Sequence, residues 1–241
     1  MPQSAQHLHI GALVYPRMDQ SDFTGPFEVL SKIPDSTFHV IGKDLAPVRD
    51  LSGLILTPET TFSQAPPLDL LVVPGGIGQE ELMEDEVVLS FLRAQARHAR
   101  YVFSICTGAL LCGAAGLLRG RRATTHWAAF HLLEYFGAIP VSARVVVDGH
   151  LVTAAGVTAG LDGALRVAAL LRDESTAQRI QLSIEYSPEP PFHSGTPQTA
   201  PPEIVRAVRL AYEKISEARL ATAQRLAARL GVSVMPQGPA W

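Results

Sequence analysis

The chain has 241 residues, of which 47 % are hydrophobic and 18 % are charged, and its formal net charge is −3. This composition is that of a globular protein and excludes a disordered, collagen-like or coiled-coil chain. The length allows one domain with an ordinary apolar core. The small negative charge gives no electrostatic footprint for nucleic acid or for an anionic membrane.

The N-terminal segment and the apolar runs favour a soluble protein. Residues 1–10 lack the basic flank and the apolar run of a signal peptide. No uninterrupted apolar stretch approaches the ~20 residues that a membrane-spanning helix needs. We therefore expect a cytoplasmic protein that binds neither membrane nor nucleic acid.

The only two cysteines are Cys106 and Cys112. That count rules out a disulfide scaffold and argues against a cysteine-rich zinc site. If both lay on one helix, their Cα atoms would be about 9 Å apart, which is too far for a disulfide. Cys112 falls among leucines and alanines in a predicted helix, so we expect it to be a core residue.

Predicted strands and helices alternate in the first half of the chain. Short apolar runs predict strands at 8–15, 38–42, 69–76 and 101–105, and the third of these ends in a Pro-Gly-Gly turn. Helical spacing predicts helices at 87–99 and 107–118, and another helix starts near Asp22, with Pro26 near its first turn. Residues 48–56 are predicted to form a hairpin or arm. This alternation indicates an α/β domain with a largely parallel sheet.

The second half is predicted to contain a hairpin, three helices and a proline-rich strap. The hairpin is expected at 145–153, with a type I′ turn at Asp148-Gly149. Helices are predicted at 158–171, 176–185 and 203–230, and the strap at 187–202 holds six prolines. The last helix should end at Gly231 and Pro236. Its predicted apolar stripe consists of Ile204, Val208, Tyr212 and Ile215, and its predicted solvated face carries Arg206, Arg209, Lys214 and Arg219.

One motif indicates a reactive side chain. It is Ser104-Ile-Cys-Thr-Gly108, which lies between a predicted strand and a predicted helix. Its spacing is that of the nucleophile elbow G-x-S-x-G, with Cys106 in the nucleophile position. Such a turn strains the backbone of the central residue and exposes its side chain at the carboxyl edge of the sheet, where open α/β folds bind ligands. The following helix N-terminus should favour the thiolate. The alternative is that Cys106 is a small core residue.

A nucleophilic cysteine needs an acid or base partner. Asp22 is a candidate because it should lie on the same rim as Cys106, although it could instead cap a helix. His126 is the best placed of the eight histidines, with a structural or capping role equally open. The glycine turn at 74–78 lacks a nucleotide-loop pattern, but its backbone N–H groups could form an oxyanion hole.

Several segments together resemble the ThiJ/PfpI superfamily, which has the class I glutamine amidotransferase-like (flavodoxin-like) fold. These segments are DLLVVPGG at 69–76, CTG at 106–108, GLLRGRRATTHW at 116–127 and GVTAGLD at 156–162. Further stretches at 22–26, 137–140, 176–182, 185–192 and 195–201 are most similar to the isocyanide hydratase branch. The resemblance runs from about Ile10 to the final helix and implies one domain over 1–241, folded as a three-layer α/β/α sandwich.

The resemblance also implies a reaction and a site. Cys106 matches the family nucleophile and Asp22 matches the acidic residue that contacts it. Thr107 follows the nucleophile, Val157 matches a position whose backbone N–H approaches the sulfur, and Gly76 lies in the glycine turn. Many members have Glu in place of Asp22, and some have His in place of Thr107, and both departures agree with the hydratase branch. The implied protein is a homodimer that hydrates a small-molecule isocyanide, whose identity and size the sequence leaves open, with no metal or organic cofactor.

Two other functions stay open. One is a ThiJ/PfpI hydrolase or a redox or stress protein that uses the same cysteine. The other is the sensor domain of an AraC-type transcription regulator, which the stretch at 106–127 also resembles. Residues 226–233 in addition resemble the first part of a helix-turn-helix. The expected recognition helix does not follow and the net charge is negative, so we do not expect sequence-specific DNA binding.

Overall fold

The computed structural model describes residues 6–233. The first five residues of the N-terminal segment and the tail from residue 234, including Pro236, lie outside the described residues. Within the described range the strands are β1 (Leu8–Leu13), β2 (Ser36–Gly42), β3 (Val48–Arg49), β4 (Ile55–Leu56), β5 (Thr60–Thr61), β6 (Leu70–Val73), β7 (Tyr101–Ile105), β8 (Arg122–Ala123), β9 (Ile139–Pro140), β10 (Val145–Asp148) and β11 (Leu151–Ala154).

Seven of these strands form the central sheet, in the order β10-β11-β7-β6-β1-β2-β5. All neighbouring pairs in it are parallel except the antiparallel pair β10–β11. Strands β6 and β11 are buried along their whole length, as expected for a parallel sheet that is covered on both faces. The short pair β3–β4 is antiparallel, which confirms the hairpin predicted at 48–56.

Helices cover both faces of this sheet. They are α1 (Gln20–Leu30), α2 (Gln79–Leu82), α3 (Glu86–Ala96), α4 (Gly108–Ala114), α5 (Ala159–Leu171), α6 (Glu174–Ser183) and α7 (Pro202–Leu230), with a 3₁₀ helix at Trp127–Phe136. Helices α1, α5 and α6 pack together, while α3 and α4 pack against β6 on the other face. The predicted three-layer α/β/α sandwich with a mostly parallel sheet is confirmed.

Two local predictions are wrong. Helix α1 begins at Gln20, so Pro26 lies in its second turn rather than near its first. The β10–β11 turn consists of Gly149 and His150, and of these two only Gly149 has a positive φ, of 61°. A positive φ at the first turn residue alone fits a type II′ turn, whereas the predicted type I′ turn needs positive φ at both.

Helix α7 is buried along a different part of its length than its apolar pattern predicted. No helix or strand occurs between α6 and α7, which agrees with the proline-rich strap. Ile204, near the start of α7, is half exposed, and the buried residues lie between Arg219 and Ala227, in the C-terminal half of the helix. Helix α7 packs against α2 and the 3₁₀ helix. The helix ends at Gly231 with φ 64°, as predicted. Among residues 6–233 there is no helix, α7 included, with both the length and the hydropathy for crossing a membrane.

Candidate active site

Cys106 lies on a strained turn between β7 and α4. Its φ is +53°, a left-handed value that is rare for a residue with a side chain. The Cys106 N–H donates to the Ala154 carbonyl at 3.1 Å, and the Cys106 carbonyl accepts a hydrogen bond from the Thr125 hydroxyl at 2.7 Å. These two contacts hold the strained residue from both sides, and this geometry is that of the predicted elbow.

The elbow depends on the absence of a side chain at Gly108. A Cβ atom on Gly108 would lie 2.1 Å from the Val73 carbonyl oxygen, which belongs to the neighbouring strand β6. The start of α4 can therefore approach β6 closely only because residue 108 is glycine. Cys112, six residues after Cys106, is buried in the core, and burial raises the pKa of its thiol to about 12. The two cysteines are thus distinguished as predicted.

Asp22 is a buried carboxyl within α1, and a different residue caps that helix. Asp19 is the cap, because its carboxylate accepts the Ser21 N–H at 2.9 Å. Asp22 Oδ2 accepts the Gly75 N–H at 2.9 Å, and Oδ1 is buried without a hydrogen-bond partner. Asp22 is therefore not the N-cap of α1, and the alternative that it only caps the helix is wrong.

Burial decides the protonation of the Asp22 carboxyl. It raises the pKa of Asp22 from 3.8 to about 8, assisted by the negative charge of Asp19. The Gly75 N–H and an interaction with the Cys106 thiol act in the opposite direction and lower this pKa. Near neutral pH the carboxyl is therefore mostly protonated and can act as an acid.

Burial also raises the pKa of Cys106 above its ordinary value, and the Asp22 carboxylate adds to this effect. The Thr107 N–H and Arg219 lower the same pKa. The favourable helix N-terminus that we predicted is thus present, but burial opposes it. Because Cys106 and Asp22 interact, they titrate as a pair, and the loss of one proton makes the loss of the second harder.

Thr107 joins the elbow to the glycine turn. Its hydroxyl donates to the Gly76 carbonyl and accepts the Gly76 N–H, both at 3.1 Å. Gly76 has φ +124°, and a Cβ there would lie 2.3 Å from the Asp19 backbone nitrogen, so only glycine fits. The Gly76 N–H therefore already has a partner in Thr107.

His126 and Val157 lie on the wall of the same pocket as Cys106. His126 caps the 3₁₀ helix, since its Nδ1 accepts the Ala128 N–H at 3.3 Å. Burial, aided by the charge of Arg219, lowers the pKa of His126 to about 4, so the ring is neutral near pH 7. His126 is therefore both a helix cap and a pocket residue, and Val157 lies in the turn before α5.

Arg219 is a pocket residue that the sequence pattern did not predict. We predicted that it lies on the solvated face of the last helix, but it is only 7 % exposed. It lies on the pocket wall together with Tyr212 and Ile215, one to two turns earlier in α7. A signal was present, because positions 212, 215, 219, 222 and 226 continue one helical stripe at spacings of three and four.

The pocket over Cys106 is small, with a volume of about 80 Å³. Its wall combines the elbow and the glycine turn with residues from the 3₁₀ helix and α7. The residues of the wall are Asp19, Leu51, Gly76, Ile77, Cys106, Thr107, His126, Ala128, Val157, Tyr212, Ile215 and Arg219. In the described part of the chain, no group of three or more His, Cys, Asp or Glu side chains is arranged to hold a metal ion.

A cysteine at a strand–helix elbow beside a buried carboxyl places this molecule among the α/β proteins that present a nucleophile at the carboxyl edge of a parallel sheet. More specifically, the chain belongs to the DJ-1/PfpI family, whose sequence model matches residues 9–170. The predicted resemblance to the ThiJ/PfpI superfamily is thereby confirmed.

Several known proteins are similar to this chain. An isonitrile hydratase of Pseudomonas putida is 51 % identical over 225 residues, which are 93 % of this chain and 99 % of that protein. The crystal structure of a ThiJ/PfpI family protein from Pseudomonas syringae has a TM-score of 0.87 at 39 % identity, covering 92 % of this chain and 91 % of that one. An HTH-type transcriptional regulator of Pseudomonas aeruginosa PAO1 is 34 % identical over 127 residues, but these are 52 % of this chain and 34 % of the regulator.

Proposed function

We propose that this protein adds water to an isocyanide, also called an isonitrile, and releases an N-substituted formamide. The observation that carries the proposal is the 51 % identity to an isonitrile hydratase along 93 % of the chain. The pairing of an elbow cysteine with a buried carboxyl supports a mechanism in which Cys106 is the nucleophile and Asp22 is the acid–base group.

The first half of the reaction forms a bond from the Cys106 sulfur to the terminal isocyanide carbon. This addition also requires a proton, which the substrate gains as the new bond forms. Asp22 is suited to supply it, because its carboxyl has a pKa of about 8 and is mostly protonated at neutral pH. The product is a thioimidate on Cys106, and Asp22 is left as a carboxylate.

The second half returns both groups to their starting state. The Asp22 carboxylate takes a proton from water as the water oxygen adds to the thioimidate carbon, and it passes this proton to the substrate nitrogen. The carbon–sulfur bond then breaks as the hydroxyl group loses its proton to Asp22, which releases the formamide and the Cys106 thiolate and leaves Asp22 protonated. Each turnover consumes one water and one isocyanide, and no electrons leave or enter.

The pocket suits a narrow, mostly apolar reactant. An isocyano group is linear and has two heavy atoms, so it fits a volume of about 80 Å³ over the sulfur. Ile77, Val157 and Ile215 provide apolar surface around it. A bulky substituent would have to extend out of the pocket, so we expect small aliphatic isocyanides to be the better substrates. A homodimeric state, a cytoplasmic location and the absence of a cofactor stay predictions.

The test compares the two cysteines on a small panel of aliphatic isocyanides, with formamide production followed by NMR. We expect Cys106→Ala to lower the rate at least about 10³-fold, because it removes the nucleophile. Cys112→Ala is the matched control, since it removes a buried thiol outside the site, and should keep most of the activity. Equal rates for Cys106→Ala and the parent protein would disprove the mechanism, and no hydration of any isocyanide by the parent would disprove the function.

A further inference from the structure

Arg219 brings a buried cation from α7 into contact with the elbow and the glycine turn. Its Nη2 donates to the Gly76 carbonyl at 2.8 Å and lies 3.4 Å from the Thr107 hydroxyl oxygen. Its Nε donates to Gln79 Oε1 at 2.9 Å. All of these acceptors are neutral, so the contacts fix the position of the guanidinium without neutralising its charge.

No carboxylate in residues 6–233 lies within ion-pair distance of Arg219. Burial lowers the pKa of Arg219, and the negative charge of Glu80 in α2 opposes this effect from beyond ion-pair distance. A buried charge without a directly paired counter-ion is costly, because the protein interior solvates it poorly. Gln79 occupies a place where a glutamate would neutralise the arginine, and its own Nε2 is buried without a partner. The arrangement thus leaves the positive charge of Arg219 available to an anion in the pocket.

The anion that this charge can stabilise is the Cys106 thiolate. Arg219 and Cys106 lie on the wall of the same pocket, and the positive charge of Arg219 lowers the pKa of Cys106. The other charged or titratable groups that act on Cys106 come from α1 and its N-cap: the carboxylates of Asp22 and Asp19 raise the same pKa. Tyr15 and His126 also border the site, Tyr15 with a raised pKa and His126 as a neutral ring near pH 7.

We propose that Arg219 is a positioning residue that holds the Thr107 hydroxyl and the Gly76 carbonyl beside the elbow and supplies the positive charge against which the Cys106 thiolate forms. The inference rests on the proposed role of Cys106 as the nucleophile. It adds that a residue of α7 acts on the reacting sulfur of Cys106. The same charge opposes protonation of His126, which keeps a second cation out of the pocket.

The experiment measures alkylation of Cys106 by iodoacetamide between pH 6 and pH 10, with the modified residue identified by mass spectrometry. We compare Arg219→Met, which removes the charge, with Arg219→Lys, which keeps it. The matched control is Arg225→Met, because Arg225 lies on the same helix but forms an exposed ion pair with Glu84. Opposite charges near a thiol shift its pKa by about one to three units, so we expect Arg219→Met to react about tenfold more slowly at pH 8.

We expect the pH of half-maximal Cys106 alkylation to be higher in Arg219→Met than in the parent protein. It should return towards the parent value in Arg219→Lys and be unchanged in Arg225→Met. A role in packing alone would lower the melting temperature and leave the pH profile unchanged, and that result would overturn the proposal. A second variant, Gln79→Glu, keeps the side-chain shape and gives Arg219 a counter-ion. It should also slow alkylation at pH 8, and an unchanged rate would contradict the proposed role of the charge.

Alkylation separates this inference from the proposed reaction. Iodoacetamide requires a thiolate and no isocyanide, so the pH profile can be measured even if the protein hydrates none of the panel. In that case the proposed function fails, whereas a shifted profile in Arg219→Met still supports the role of Arg219. If hydration is observed and the profile is unshifted, the function stands and the inference about Arg219 is wrong.

Discussion

Replacing Asp22 with asparagine should make the protein less sensitive to alkaline pH. Asparagine keeps an acceptor for the Gly75 N–H, which now bonds to Asp22 Oδ2, and it cannot ionise. In the parent protein, burial raises the pKa of this carboxyl from 3.8 to about 8. The folded state therefore retains a proton that the unfolded chain releases.

The sign and size of the effect follow from this difference in bound protons. Between the two pKa values the folded protein binds about one proton more than the unfolded chain at this site. The contribution of the Asp22 carboxyl to the free energy of unfolding is therefore fully present below about pH 4. As the pH rises towards 8, this contribution falls by about 1.4 kcal/mol per pH unit. From pH 5 to pH 8 the loss is on the order of 4 kcal/mol, which is a large part of the 5–15 kcal/mol typical of a folded domain.

The assay is urea unfolding, followed by circular dichroism, at pH 5 and pH 8. The free energy of unfolding of the parent should fall by a few kcal/mol more than that of Asp22→Asn over this interval. Asp85→Asn is the control: Asp85 is the N-cap of α3, and hydrogen bonding to Lys43 lowers its pKa. Its titration lies below the interval, so this variant should follow the parent. If Asp22→Asn also followed the parent, the carboxyl would be ionised when folded and our assignment of the acid would be wrong.

Two further variants test the elbow and the histidine. Gly108→Ala places a Cβ 2.1 Å from the Val73 carbonyl oxygen. We therefore expect a lower melting temperature and slower alkylation of Cys106 than in the parent protein. Parent-like values of both would refute the steric argument. His126→Asn keeps a capping acceptor and removes a ring whose pKa is lowered to about 4. The pH–rate profile between pH 5 and pH 8 should therefore keep its shape, and disappearance of an inflection near pH 6 would show that His126 titrates there.

The elbow was predictable because it is encoded locally. A buried strand, a short motif with small neighbours and a following helix are all visible in about fifteen consecutive residues, and the positive φ of Cys106 follows from them. The role of Asp22 was predictable only as one of two options, chemistry or helix capping, because the sequence alone does not show which residue caps α1. The side chain of Asp19 bonds to Ser21, which leaves Asp22 in the site.

Arg219 was not predictable from a charge pattern, because its burial is decided by tertiary packing. It is 143 residues from Gly76 in the sequence and contacts that residue only because α7 packs beside the glycine turn. A sequence pattern assigns an arginine to a solvated face by default, and the acceptors supplied by Gly76, Gln79 and Thr107 overcome that preference. The predicted turn type at Gly149 was wrong because the turn residues are displaced by one position from the predicted pair, and such a displacement changes the turn type.

The pocket is assembled from two parts of the chain that can diverge separately. Cys106 and Asp22 lie within residues 9–170, the part that the family model matches. Tyr212, Ile215 and Arg219 lie beyond it, on a helix attached through a proline-rich strap. Substitutions at Tyr212 and Ile215 can therefore reshape the wall while Arg219 and the elbow stay in place, so relatives with the same reactive centre can acquire different substrate preferences through this one helix.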